Sequence, residues 1–256
     1  TMKNASIPRL LTQILDIAKL MQVSGAEIYR IEDTVTRLLT AYGGLEPQVT
    51  AVPSHIIASA RFGDEEYTLT RRVDTQQTDM ELLDRLNNLS REICRDRPEP
   101  EEISRMLRDL TSRPRYSRWQ NLLIYAFTCS MFTLFFGGSA LDAAASAVVG
   151  AMLYAARCLF EKTGFNKVFM ALAGSAWASF SAMLLVHAGL GRDADKIIIG
   201  AVMVLIPGIE MLNGFRDFIS GDIQAGIMHL SESLFLAVII AIGAAGMFTL
   251  SGYMGL

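Results

Sequence analysis

The chain has 256 residues, of which 51% are hydrophobic, and a formal net charge of −3. That balance leaves no basic footprint for nucleic acid, and no nucleic-acid partner is expected. Three widely separated cysteines, Cys94, Cys129 and Cys158, give neither a disulfide framework nor a metal-ligand spacing.

The charges divide the chain in two. Residues 1–118 hold 17 of the 23 Lys+Arg and 18 of the 26 Asp+Glu. The remainder contains uncharged stretches at residues 119–141, 168–191 and 233–256, each long enough to cross about 30 Å of hydrocarbon as a helix. The expected architecture is an α-helical integral membrane protein with about five transmembrane helices (residues 113–256), preceded by a small cytosolic α/β domain (residues 1–112).

In chain order, residues 8–23 place Leu10, Leu11, Ile14, Leu15, Ala18 and Met21 at helical spacing. Asp16 and Lys19 interrupt this stretch, so it does not read as a secretory signal. Ser24-Gly25-Ala26-Glu27 has the S-x-x-E form of a capping box and predicts a second helix starting at Ser24. That helix carries its apolar stripe through Ile28, Ile31, Val35 and Leu38 and stops at Gly43-Gly44. Residues 48–52, 55–62 and 65–73 are rich in β-branched residues and read as three strands, the last two forming a hairpin around Gly63-Asp64. Helical spacing returns at residues 80–93 and 101–110. The N-terminal domain is therefore expected as helix-helix, three strands, helix-helix. Glu27, Glu32, Asp33, His55, Arg71 and Arg72 are the residues an enzyme could use there. No phosphate loop, nucleophile elbow, zinc spacing or cofactor motif accompanies them.

Arg108, Arg113, Arg115 and Arg118 precede the first uncharged stretch, with Trp119 at the boundary. Short basic flanks stay on the cytoplasmic side, so the N-terminal domain is expected inside. Spans are expected at about residues 119–136, 140–160, 167–190, 197–212 and 227–250, with the C-terminus outside. Arg157, Lys162 and Lys167 fall inside in this reading, and Arg192 and Lys196 outside. Ser146/Gly150 and Gly174/Ala178/Ala182 recur at four-residue intervals, which reads as close helix packing. The odd span count suggests a partner or a homo-oligomer.

The fourth span is broken by Pro207-Gly208 and then carries Glu210. Broken helices and charges at membrane depth are tolerated where they are buried in protein or line a cavity, which points to a solute pathway. Glu210, Asn213 and Asp217 share a face if the helix resumes after Gly208, and its new N-terminus would favour a substrate carboxylate. Asp217 has the alternatives of pairing with Arg216 or capping a loop, and Glu210 that of lying at the interface. Glu232 and His229, three residues apart, could share a proton, whereas Asp222 sits in a turn.

The run PGIEMLNGFRDFISGDIQAG, followed by Glu232 in HLSESL, resembles the threonine/serine exporter family. SGAEIYRIEDT, NNLSREI, TRRV and LFFGGSALDAA also resemble it, in the same order along nearly the whole chain. The resemblance implies a cytosolic domain followed by five spans, as in the larger component of split, two-protein exporters. Such exporters move small amino acids or small dicarboxylates such as succinate out of the cell. Implied partners are a second small membrane subunit, a small-molecule substrate and the lipid bilayer, at the bacterial inner membrane. By motif position Asn213, Arg216, Asp217, Gly221, Asp222, Gly226 and Glu232 carry over, while Glu210 departs from the pattern. The expected substrate or proton pathway is thus Pro207, Gly208, Glu210, Asn213, Arg216, Asp217, Asp222 and Glu232, without cofactor or metal. The expected function is a subunit of a proton-driven exporter. The alternative is a membrane-anchored enzyme or sensor acting through its cytosolic domain.

Overall fold

A computed structural model describes residues 6–73, 78–112, 116–161 and 165–254. Arg113, Arg115 and Lys162, used above to orient the spans, lie outside the described residues, as does the expected domain start at residue 113. The fold separates into two compact units, one formed by the residues before 114 together with Gly208–Ser231, the other by Pro114–Pro207 and Glu232–Leu256.

In the first unit, helices α1 (Ile7–Val23) and α2 (Ile28–Ala41) are followed by strands β1 (Leu45–Val52), β2 (His55–Phe62) and β3 (Glu65–Arg72). Helices α3 (Met80–Asp96) and α4 (Pro100–Thr111) complete the N-terminal part. The strands form an antiparallel sheet in the order β1-β2-β3, with Ile57 opposite both Thr50 and Thr70. Period-two alternation turns Ile56, Ala58 and Ala60 of the central strand inward. They meet Leu10, Ile14, Ile17 and Met21 of α1, Ile31, Val35 and Leu38 of α2, and Leu86 and Ile93 of α3 in one core.

The expected capping box at Ser24–Glu27 is not formed. Ser24 is instead the C-cap of α1. Gly25 takes φ +96°, a conformation glycine adopts at little cost, and this allows the Ala26 amide to reach Met21 O and the Gly25 amide to reach Gln22 O. This paired closure ends α1 before α2 begins. Glu27 becomes the N-cap residue of α2, and its side chain makes no capping bond.

The unit also contains α9 (Gly208–Ile219) and the first turns of α10 (Ile223–Met254). These helices approach closely because both contact points are glycine. A β-carbon on Gly214 would lie 2.8 Å from Leu230 Cγ, and one on Gly226 would lie 3.0 Å from Gly214 O.

The second unit holds α5 (Arg118–Phe135), α6 (Ala140–Glu161), α7 (Lys167–His187), α8 (Ala194–Val202) and the remainder of α10. Ser146, Gly150, Gly174, Ala178 and Ala182, expected as packing surfaces, are buried. A β-carbon on Gly150 would sit 2.7 Å from Tyr125 O, and one on Gly200 would strike Thr133, so α6 and α8 both press against α5. Asp142, fully buried, accepts from Ser139 and from the amides of Arg192 and Asp193, tying the start of α6 to the segment before α8.

Among the described residues three helices, α6, α7 and α10, are long and apolar enough to cross a membrane; α8 and α9, joined through a 3₁₀ turn (Met203–Leu205) and Pro207, count together as a fourth when taken as one bent span. This falls short of the expected five. The missing one is α5, which has 18 residues and begins with Arg118, Gln120 and Asn121. Its polar first turn keeps it out of the set that length and composition define.

Candidate functional site

The motif residues of α9 converge on the elbow between α1 and α2, all within the first unit. Asn213, 5% exposed, donates from Nδ2 to Gly25 O at 2.9 Å. One turn later, Asp217 is fully buried. Its Oδ1 accepts from the Ile28 amide at 3.2 Å, and its Oδ2 lies 3.0 Å from His229 Nδ1 on α10. Arg216 reaches outward to Glu27, whose buried carboxylate also has Arg30 Nε at 3.5 Å. The first turn of a helix leaves amides unpaired and carries positive partial charge, so it suits a carboxylate supplied from elsewhere. Asp217 fills that role for α2.

Two features of α9 and α10 allow this convergence. Asn213 and Asp217 stand four residues apart and so lie on one helical face. The turn at Ser220–Asp222, with Gly221 at φ +91°, reverses the chain and brings His229 back beside Asp217. Asp222 shapes that reversal, accepting from the Ala225 amide at 3.2 Å at the start of α10. Glu210, two turns before Asp217, lines a small cavity with Asn213, His229, Gln22 and Gly25.

The expected pathway residues therefore separate. Glu210, Asn213, Arg216 and Asp217 gather around the elbow, and Pro207 and Gly208 form the break at which α9 starts. Glu232, in the second unit, pairs with Lys167 Nζ at 3.2 Å, both side chains being about half exposed. His229, expected to share a proton with Glu232, has its Nδ1 3.0 Å from Asp217 Oδ2.

The residues considered for catalysis hold structural posts. Glu32 accepts from the Ala51 amide at 2.8 Å, and burial pushes its carboxyl pKa upward; that bond works against the shift, and the carboxylates of Asp222 and Asp217 add to it. Asp33 pairs with Arg37, Arg71 with Asp16, and His55 Nδ1 lies 3.0 Å from Ser54 Oγ. Among the described residues no group of three or more His, Cys, Asp or Glu could hold a metal.

Sequence reasoning did not assign Glu27 and the Gly25–Ile28 backbone to the site. Their partners lie 188 to 189 residues away, and no local pattern reports such a contact. The burial of Glu27 is visible in the structure alone.

The family model described as "Putative threonine/serine exporter" (ThrE) matches residues 12–251. A "Probable threonine/serine exporter" of Mycobacterium tuberculosis is 23% identical over 92% of this chain, which spans 45% of that protein's length. A "Probable succinate transporter subunit YjjP" of Klebsiella aerogenes is 21% identical, with 90% of each chain covered. "Pheromone-regulated membrane protein 10" of Eremothecium gossypii is 24% identical over 91% of this chain and 32% of its own length. No solved structure matches.

Proposed function

This chain belongs to the threonine/serine exporter family, and from that premise we propose that it is a subunit of a proton-driven secondary exporter. In this reading it moves threonine, serine or a small dicarboxylate outward across a bacterial inner membrane, together with a second membrane component. The observation that carries the proposal is the family match, which covers the helix break at Pro207 and the buried polar set Asn213, Asp217 and His229. The substrate classes come from the names of the mycobacterial and Klebsiella relatives, and the second component from the word subunit in the latter. Each of these substrates bears a carboxylate.

The topology proposed has five spans, the fifth being α5. Its Leu123, Ile124, Phe127, Met131, Leu134 and Phe135 are exposed while Cys129 and Thr133 are buried, as lipid-facing and packed residues of a span would be, and Trp119 sits at its end as an interfacial anchor. Arg108 and Arg118 flank this span on the proposed cytoplasmic side, which places the N-terminal residues inside.

Counterflow of labelled threonine, serine and succinate in proteoliposomes tests the function, with the chain alone and with a co-purified second membrane component. The proposal expects exchange of at least one substrate above protein-free liposomes when both components are present. Absence of exchange for all three would contradict it.

A further inference from the structure

Beside the Asp217–His229 pair, the first unit has a partly open cavity of about 10 Å³, room for about one water. Gln22 at the end of α1, Gly25 of the elbow, Glu210 and Asn213 of α9 and His229 of α10 line it. Gln22 is 1% exposed; its Nε2 donates to Val52 O at 2.7 Å, but its Oε1 is buried with no hydrogen-bond partner among the described residues. Buried acceptors are rarely left dry, and a polar cavity of this size offering several partners is where an ordered water belongs.

We propose that this cavity holds one protonatable water that joins Glu210 to the His229–Asp217 pair, and that this relay is the exporter's proton-coupling site. The inference rests on the proton-driven reading above. The water is anchored by donating to Gln22 Oε1. A proton carried on the Glu210 carboxyl passes to the water, which in the same step gives one of its own to the His229 ring. Glu210 returns to the carboxylate, the water is regenerated, and the imidazole becomes imidazolium. Because Nδ1 faces Asp217, the ring takes this proton at Nε2 and holds its charge against the Asp217 carboxylate.

Among the described residues the other charged groups around the elbow are Arg216 on α9, Glu27, Arg30 and Glu32 on α2, Asp222 in the turn, and Asp79, whose amide donates to Ser24 O. None of them lines the cavity, where Glu210 and His229 are the titratable members. Charging His229 changes the electrostatics of the carboxylate that caps α2, so proton uptake acts directly on the contact between α9 and the elbow.

The test separates two fluxes in proteoliposomes containing the exporter with its second component. Exchange of labelled for unlabelled substrate at equal pH needs no net proton movement, whereas uphill accumulation driven by an imposed pH gradient does. Glu210→Gln keeps the side-chain shape without its ionisation; it should lose gradient-driven accumulation at least about tenfold, and by more than it loses exchange. Undiminished gradient-driven accumulation in Glu210→Gln overturns the relay, as does a wild type driven by a sodium gradient and not by a pH gradient. If Glu210→Gln loses exchange as well, Gln22→Met decides, because it removes the anchor and fills the cavity. Loss of gradient-driven accumulation of at least about fivefold with exchange kept supports the relay; both fluxes kept, or both lost, overturns it. A wild type that exchanges no substrate overturns the transport reading and the relay with it.

Discussion

Asp217 caps a helix it does not belong to: its Oδ1 accepts from the Ile28 amide at 3.2 Å, across 189 residues of chain. The carboxylate is fully buried, and its other oxygen faces His229. Asp217→Ala leaves a buried amide and a buried imidazole without their acceptor. It should lower the stability of the unit by about 1–3 kcal/mol. Asp217→Asn, which can still accept from Ile28, should cost less. Thermal unfolding in detergent, followed by the far-ultraviolet helix signal, checks the order; equal stability of wild type and Asp217→Ala would refute the cap.

The α9–α10 approach makes a paired prediction. Gly226→Ala would bring a β-carbon to 2.8 Å from Phe218 Cδ2 and 3.0 Å from Gly214 O, and the backbone oxygen has little room to retreat. Overpacking of this kind costs about 1–3 kcal/mol. Gly246, farther along α10, has nothing within 4 Å of the same position, so Gly246→Ala should be neutral or stabilising by up to about 1 kcal/mol. Comparing the two melting temperatures tests the contact against general helix propensity.

Glu32 predicts a pH dependence. Burial raises its carboxyl pKa above the usual 4.5, so the folded state binds its proton more tightly than the unfolded state does. Its contribution to stability is therefore greatest below the unfolded pKa and is lost as pH rises through the raised folded pKa. Glu32→Gln keeps an acceptor for the Ala51 amide without the titration, and should flatten that part of the stability curve. Denaturant melts between pH 4 and 8, a range chosen to extend on either side of roughly the ordinary Glu pKa, would contradict the assignment if the two profiles were parallel.

Much of this fold was legible because its signals are local. Apolar spacing marks α1 through Leu10, Ile14 and Met21, and β-branched runs separated by Pro53 and Gly63 mark the strands. Small-residue intervals marked Ser146, Gly150 and Ala178 as packing positions, and they are buried. One local pattern was misassigned and another went unread. The S-x-x-E at Ser24 lost to the closure at Gly25, whereas Ser117 and Gln120, with the related S-x-x-Q spacing, do form a capping box on α5. The site was legible by residue type and not by partner. Glu210, Asn213 and Asp217 were read as one face, but nothing near position 27 announces Arg216, because contacts across 189 residues leave no periodicity.

Topology yields a prediction independent of the site. With Cys94, Cys129 and Cys158 replaced, Tyr253→Cys should react with an impermeant thiol reagent in intact cells, as an external position after a fifth span requires. Protection at residue 253 would mean that α5 does not cross, or that the chain is inverted.

The most direct measurement is pH-gradient-driven flux of the reconstituted exporter carrying Asp217→Asn or Glu232→Gln, at equal expression and equal helix content. The Glu232–Lys167 pair is about half exposed, and such pairs contribute only about 0–1 kcal/mol, so a loss in Glu232→Gln would report function and not unfolding. The account predicts that each variant loses at least about tenfold in flux, Asp217→Asn because that carboxylate holds the charged His229 and Glu232→Gln because Glu232 is taken as a pathway carboxylate. Wild-type flux in both variants would contradict it.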